Sequence, residues 1–506
     1  MLFFWSVRGY VLRDKRLSRC AIQCGIGTAI TFMGEIFMQQ GTQHIWIDVE
    51  DLFVYARTAS RPSGIQRVVL EICQAMQDDA DLWPRVRFVR HSATGTNFVP
   101  VDWASVSEIS ARLAGDGHET STGIVRGQRE TALGESRLQR LGRSVPTSLR
   151  VPAGQMIRNV LGLTQATASL SVAAADFVSD VAKAKWQQKT PSRTGEAQVF
   201  APSPGDVLLT LGASWTHATY GALLRQCKAQ HEVKVAVLVH DLVPLLWPEW
   251  CRPGLPSVFK RWYSAVLPEC DVIFTNSEAT RQDVLNYAVR QKLDLTIPVV
   301  TVPMGSGFVT LPPQRPDPAI KAIVDGLGPY ILCVGTLEAR KNHAVLFRTW
   351  RRLLQERPAS AVPKLVFAGC QGWLVDDLVQ QIRNSAFLDG HLVWIDAPSD
   401  ALVAALYQRC LFTVFSSFYE GWGLPVTESL AWGKACLISD RSSLPEAGAG
   451  WAESFDPDNG SDLLERIKSL LDAPEKLREQ EAAIQAGFKA VPWSSAVHVV
   501  KQALGA

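Results

Sequence analysis

Two glutamates, Glu420 and Glu428, bracket the string Gly421-Trp422-Gly423-Leu424-Pro425, and two adjacent cations, Arg340 and Lys341, stand some eighty residues upstream. Cations bind phosphate, Arg as a fork of donors and Lys as a compact point charge. So do the free N–H groups at a helix N-terminus, helped by the helix dipole. Carboxylates make poor phosphate ligands, but they accept hydrogen bonds from sugar hydroxyls. Acids set beside an anion cradle therefore point to a phosphorylated sugar. For the cations alone a solvated face is the competing reading, and for Glu428 a helix cap.

The elements around these residues suit that reading. Leu411-Phe412-Thr413-Val414-Phe415 reads as a short buried strand, and Pro425 fits the first turn of a helix that Gly433 closes. The backbone N–H groups of Gly421, Trp422, Gly423 and Leu424 would then face a ligand. Tyr330-Ile331-Leu332-Cys333-Val334-Gly335 is another strand, leading through Thr336-Leu337-Glu338-Ala339-Arg340-Lys341-Asn342-His343 into a helix.

The first half repeats the rhythm. His44 to Val49 reads as a strand, and Ser63-Gly64-Ile65-Gln66-Arg67 opens an apolar-periodic helix through Met76, with Ser63 as N-cap and Gly64 allowing close approach of a ligand. Val235-Ala236-Val237-Leu238-Val239 is continuously apolar, as in a strand buried on both faces, which puts His240 and Asp241 at its carboxyl end. Open α/β sheets bind ligands there. A histidine at such a place is structural or part of a site, and the company of Glu420 favours the site. The fold class is α/β.

The Glu-x7-Glu spacing with Gly-Trp-Gly-Leu-Pro inside it resembles the signature of retaining GT-B glycosyltransferases of family 4. Ser63-Gly64-Ile65-Gln66-Arg67, His240, Arg340-Lys341 and Ser443-Leu444-Pro445-Glu446 look like further parts of that family's pattern. The resemblance covers roughly 41–104 and 200–500. It implies two Rossmann-like domains facing across a cleft, with a nucleotide-diphosphate sugar held mostly by the second. On that basis Glu420 faces the donor sugar, Glu428 holds the ribose, and Arg340 and Lys341 take the diphosphate with the backbone at 421–424. Gly64 faces the donor across the cleft, His240 lies at the reacting region, and the base sits near Ser399-Asp400. His240, Glu420 and Lys341 are the expected catalytic residues, with no metal and no cofactor beyond the donor. Met304 stands where relatives commonly have a Pro-Asn-Gly turn, and Thr336 where some have Arg.

Overall resemblance to bacterial mannosyltransferases implies transfer of a hexose, with mannose from a GDP donor preferred over UDP-sugars, to a glycan or lipid-linked acceptor in surface polysaccharide assembly. A non-catalytic sugar-nucleotide-binding relative is the alternative. A nicotinamide dehydrogenase is disfavoured, since no Gly-x-Gly-x-x-Gly follows the first strand.

Composition bounds the rest. The 506 residues exceed one ordinary core, and a net charge of +2 gives no case for nucleic acid as a partner. Ten cysteines without a CxxC pair read as reduced thiols of a cytoplasmic protein. With the family resemblance, the expected organisation is an N-terminal extension at 1–40, an acceptor-side domain at 41–310, a nucleotide-sugar domain at 319–487 and a helix at 488–506 that, as in relatives, crosses back to the first domain. The proline-rich stretch 311–318 serves as hinge. The extension carries arginines ahead of an uncharged run too short to span a membrane. An insertion at about 105–200 has a basic lead-in and helical spacing without strand alternation. It is either a loop plus covering helix or a peripheral contact with the inner face of the membrane.

Overall fold

The computed structural model describes residues 43–57, 59, 61–114, 123–125, 200–306 and 317–506. The extension at 1–40, most of the basic insertion and most of the proline-rich hinge lie outside them.

Among the described residues, fourteen strands form two sheets of seven. They are β1 (Ile45–Asp48), β2 (Val86–His91), β3 (Phe98–Val101), β4 (Gly123–Val125), β5 (Val207–Thr210), β6 (Lys234–Val239), β7 (Val272–Thr275), β8 (Val299–Thr301), β9 (Tyr330–Val334), β10 (Lys364–Ala368), β11 (Leu392–Asp396), β12 (Thr413–Phe415), β13 (Cys436–Ser439) and β14 (Glu453–Phe455). The first sheet runs β3-β2-β1-β5-β6-β7-β8 and the second β14-β13-β12-β9-β10-β11-β4. Pairing is parallel except at one end of each sheet, where β3 and β4 run antiparallel to β2 and β11. Central strands such as β1, β5 and β13 are buried at every position, because helices cover both faces. Apolar side chains on those faces form separate cores in the two domains.

Six helices position the site and its surroundings: α1 (Gly64–Asp78), α2 (Trp103–Ala114), α3 (Glu278–Gln291), α4 (His343–Glu356), α5 (Leu424–Ala431) and α6 (Trp493–Leu504). Helix α6 seats Trp493, Val497 and Val500 in the first domain's core, although it comes after the second domain in sequence. Met304 is buried in the same core, and a Cβ on the neighbouring Gly305 would meet the Trp493 ring at 2.4 Å. Met304, where relatives commonly have Asn, is thus an apolar member of that core.

Three local readings differ from expectation. Helix α2 continues to Ala114 and buries Val106 in the first core, so the ordered fold runs past residue 105. The insertion also contributes a strand where alternation gave no sign of one, β4, which joins the edge of the second sheet. Three residues are too few for a period-two pattern to register. Ser63 occupies the N-cap position of α1 but makes no capping bond; its hydroxyl bonds the Gln66 side chain instead.

The eight cysteines among the described residues are free thiols, and all but Cys370 are buried. None of the described helices is long and apolar enough to cross a membrane.

Candidate functional site

Strand β9 is followed by Gly335, whose φ of +143° belongs to glycine and whose missing side chain leaves room for Lys341: a Cβ would stand 3.3 Å from Lys341 Cδ. The chain then makes a single 3-10 turn over Ala339–Lys341 before α4 begins. That turn points Arg340 and Lys341 toward the loop after β12. Two backbone-directed bonds lock the loops together, from Phe418 N–H to the Arg340 carbonyl at 2.9 Å and from the Ser416 hydroxyl to the Lys341 carbonyl at 3.0 Å.

Glu420 is the hub. Its carboxylate accepts from Arg340 Nη1 at 2.6 Å, Lys341 Nζ at 2.7 Å and Ser417 Oγ at 2.8 Å. Arg340 also donates to the Tyr419 carbonyl and to Glu338, an acid only 3% exposed. Ser442 and Ser443 hold the backbone: Ser442 Oγ accepts from Glu420 N–H at 2.8 Å, and Ser443 Oγ bridges the carbonyls of Glu420 and Trp422. Burial alone would raise the Glu420 carboxyl, but Arg340 and then Lys341 outweigh it and hold it at about 2. The guanidinium of Arg340 is pushed up in turn, by Glu420 first and Glu338 next, against the pull of burial. Two cations face two acids, and Asp241 at the end of β6 also acts on Arg340, so the cluster carries no spare positive charge.

Helix α5 starts at Leu424 after Gly423, whose φ of +112° makes the turn, and ends with Gly433 at φ +69°. Glu428, on its buried face, belongs to a second cluster. It accepts from Tyr407 Oη at 3.1 Å and lies 3.8 Å from Arg67 Nη1, which reaches across from α1 to bond Asp400 at 2.8 Å. Burial, and less strongly Asp400, raise the Glu428 carboxyl, while Arg67 and Tyr407 lower it; burial wins. The structure therefore gathers Arg340, Lys341 and Glu420 in one cluster and places Glu428 in another, with Asp400 from the expected base-side loop.

The first domain meets both clusters. His240 is buried at the carboxyl end of β6, and its Nε2 donates to the Leu211 carbonyl at 2.7 Å. That bond fixes the proton on Nε2 and leaves Nδ1 as acceptor. Burial lowers its pKa more than the Leu211 carbonyl and Asp51 raise it, so the ring is neutral. The His240 carbonyl backs onto Gly421, where a Cβ would come within 2.0 Å of it. Gly64, at the start of α1, faces Leu424: a Cβ added there would stand 4.0 Å from its Cδ1. Trp422 packs against the cores of both domains and Leu424 against the first. Glu446 reaches over to accept from the Glu278 and Ala279 N–H groups at the start of α3, at 3.0 and 3.4 Å. The two halves are closed on each other.

Several of these residues were not singled out by motif. Glu338, Ser417 and Ser442 lie near Arg340 or Glu420 in sequence or beside the signature, but polar loop residues carry no periodic signal. His343 is 1% exposed with neither ring nitrogen hydrogen-bonded, and it lines a small pocket with Lys341, Ser416 and Glu420. Burial first, then the charge on Lys341, pushes it down to about 3.

These groups fix an acid response. A carboxylate held at about 2 contributes stability that is complete above its unfolded value of 4.5 and lost as pH falls toward 2. A histidine kept neutral down to about 3 loses stability as pH falls below 6.5, where the unfolded chain takes the proton first. The thermal midpoint is expected to decline from pH 7 to 5 and more steeply below 4.5. Glu420→Gln should flatten the lower limb, and an unaltered slope below pH 4.5 would count against the Glu420 assignment.

Comparisons with known proteins bear on family and fold. Residues 321–488 match the family model of glycosyl transferases group 1. A serotype-specific mannosyltransferase from Escherichia coli is 29% identical over 242 residues, which cover 46% of this chain and 29% of that protein. An O-antigen chain mannosyltransferase B, also from Escherichia coli, is 26% identical over 220 residues, 43% of this chain and 56% of that one. The chain thus spans less than two thirds of either relative. A sucrose-phosphate synthase structure from Thermosynechococcus elongatus superposes with a TM-score of 0.52 at 13% identity, covering 91% of this chain and 98% of that one. The fold is GT-B.

Proposed function

We propose that this chain is a retaining glycosyltransferase moving a hexose, mannose first among the candidates, from a nucleoside diphosphate to a glycan or lipid-linked acceptor in surface polysaccharide assembly. The observation that carries the reading is the Arg340–Lys341–Glu420 cluster, standing at strand carboxyl ends in the part of the chain that matches group 1 glycosyl transferases. Mannose and surface polysaccharide come from the names of the relatives, and retention from the Glu-x7-Glu resemblance.

The cluster carries no spare positive charge and Glu420 occupies both cations, so a diphosphate binds here by displacing that carboxylate. In this reading it replaces Glu420 on Lys341 and shares Arg340, which frees Glu420 to accept from a hydroxyl of the donor sugar. As the glycosidic bond breaks, negative charge grows on the β-phosphate and meets Arg340, Lys341 and the backbone at Gly421, Trp422, Gly423 and Leu424. These groups supply the positive charge without a metal. Glu428 takes the ribose and Asp400 lies toward the base. Neutral His240 offers Nδ1 near the reacting centre, with Gly64 opposite. Closure of the halves excludes water and limits hydrolysis of the donor. The chain works in the cytoplasm, where nucleotide sugars are made, and meets a lipid-linked acceptor from the inner face of the membrane.

Thermal-shift screening against GDP, UDP and their sugars tests the donor class, because a ligand that binds only the folded chain raises its midpoint by mass action. One nucleotide family should raise the midpoint clearly above the other, GDP compounds being expected. No shift with any of them would remove the donor reading.

A further inference from the structure

Three strand-end loops build a feature that the donor reading does not use. After β6 the chain forms the short turns Val243–Leu246 and Pro248–Trp250; after β10 it runs to Trp373; after β12 it reaches Phe418. Their aromatic rings stack. Phe418 lies on Trp250 with centroids 5.3 Å apart and planes 11° apart, and Trp250 lies on Trp247 at 5.1 Å and 22°. Trp373 Nε1 donates to the Trp250 carbonyl at 2.8 Å, fixing the middle of the stack, and the Arg252 guanidinium lies over the Trp373 ring at 4.9 Å. The stack begins two residues from Glu420 and ends on Trp247, which is 41% exposed.

We propose that this stack is an acceptor subsite, the outer face of Trp247 taking a pyranose ring of a carbohydrate acceptor. The inference deepens the glycosyltransferase reading and rests on it. A flat indole presents a π face to the C–H face of a sugar while leaving the sugar's hydroxyls wet. The exposed side chains beside it in sequence, Glu249 and Arg252, offer those hydroxyls an acceptor and a donor. The position selects the occupant. The loops converge at the carboxyl ends of β6, β10 and β12, the side on which open α/β sheets bind ligands, and the molecule that must approach Glu420 from outside is the acceptor. A lipid surface fits less well, since Glu249 and Arg252 balance in charge. A second copy of the chain would require a larger apolar patch than one exposed tryptophan offers.

Isothermal titration of the full chain with α-mannotriose, maltotriose and chitotriose, for wild type, Trp247→Ala and Trp247→Phe, tests the proposal. GDP and UDP titrated into the same preparations check folding and the donor site. At least one trisaccharide should bind, Trp247→Ala should weaken it about tenfold or more, and Trp247→Phe should retain most of the affinity. The proposal is overturned if wild type binds a nucleoside diphosphate but no trisaccharide, or if Trp247→Ala binds every trisaccharide as wild type does. It is equally overturned if the substitution leaves trisaccharide binding intact and instead reduces sedimentation with phosphatidylglycerol vesicles or dissociates a dimer in light scattering. Trisaccharide binding that depends on Trp247, without binding of any nucleoside diphosphate, would instead remove the donor reading.

Discussion

Glu420→Ala and Lys341→Ala are each expected to lower sugar transfer by at least ~10²-fold, the usual loss for one electrostatic group aimed at charge that develops in a transition state. The reason differs between them. Lys341→Ala removes a cation that meets the leaving diphosphate, so donor affinity should weaken together with turnover. Glu420→Ala removes the group expected to turn toward the sugar, and it also leaves two partly buried cations with one acid fewer. Truncating one partner of a fully buried ion pair costs about 3–5 kcal/mol, and this partly buried cluster falls below that range but is still strained by the loss, so the variant's fold needs checking. Glu420→Gln keeps the shape and the hydrogen-bonding oxygen, and a correctly folded Glu420→Gln protein should still lose most transfer. Steady-state rates with a labelled nucleotide sugar decide the matter, and near-wild-type turnover in Lys341→Ala and Glu420→Gln would remove both residues from the site.

Gly421→Ala is the second large effect. The added methyl would stand 2.0 Å from the His240 carbonyl and 3.1 Å from Asn276 Nδ2, and the nearer of these is backbone. A side-chain rotation cannot relieve the backbone clash, so the domains must part or the glycine loop must shift. A displacement of about 1 Å at a reacting centre can cost ~10²-fold in rate. Transfer is therefore expected to fall by roughly 10- to 100-fold, while nucleotide binding, held mostly within the second domain, should change much less. Small-angle scattering should show a larger radius for the variant. Wild-type turnover with an unchanged radius would mean that this contact plays no part in the active form.

How much of this is legible in the sequence depends on the kind of signal each feature leaves. Buried parallel strands write continuous apolar runs, so β6 and β9 and the placement of His240 at a strand end were legible. Glycine and proline punctuate turns, which gave the start and end of α5. The meeting of Arg340 and Lys341 with Glu420 was legible only through resemblance, because nothing local links residues eighty positions apart. The pairing of Glu428 with Arg67 across the cleft was not legible at all, for it depends on how two domains close. The return of α6 to the first domain was legible only through resemblance, because its amphipathic pattern demands a partner without naming it; Trp493 finds that partner at Gly305. The aromatic stack was equally silent, since Trp247, Trp250 and Phe418 come from loops without periodicity.

The central claim is that a diphosphate lies on Arg340 and Lys341. Comparing the affinities of GDP with GMP, and of UDP with UMP, in wild type and in Lys341→Ala isolates it, because the second phosphate is the part those cations are expected to hold. Wild type should prefer the diphosphate of its nucleotide by at least about tenfold, or ~1.4 kcal/mol, and Lys341→Ala should lose most of that preference while keeping its affinity for the monophosphate. A preference that survives unchanged in Lys341→Ala would contradict the assignment.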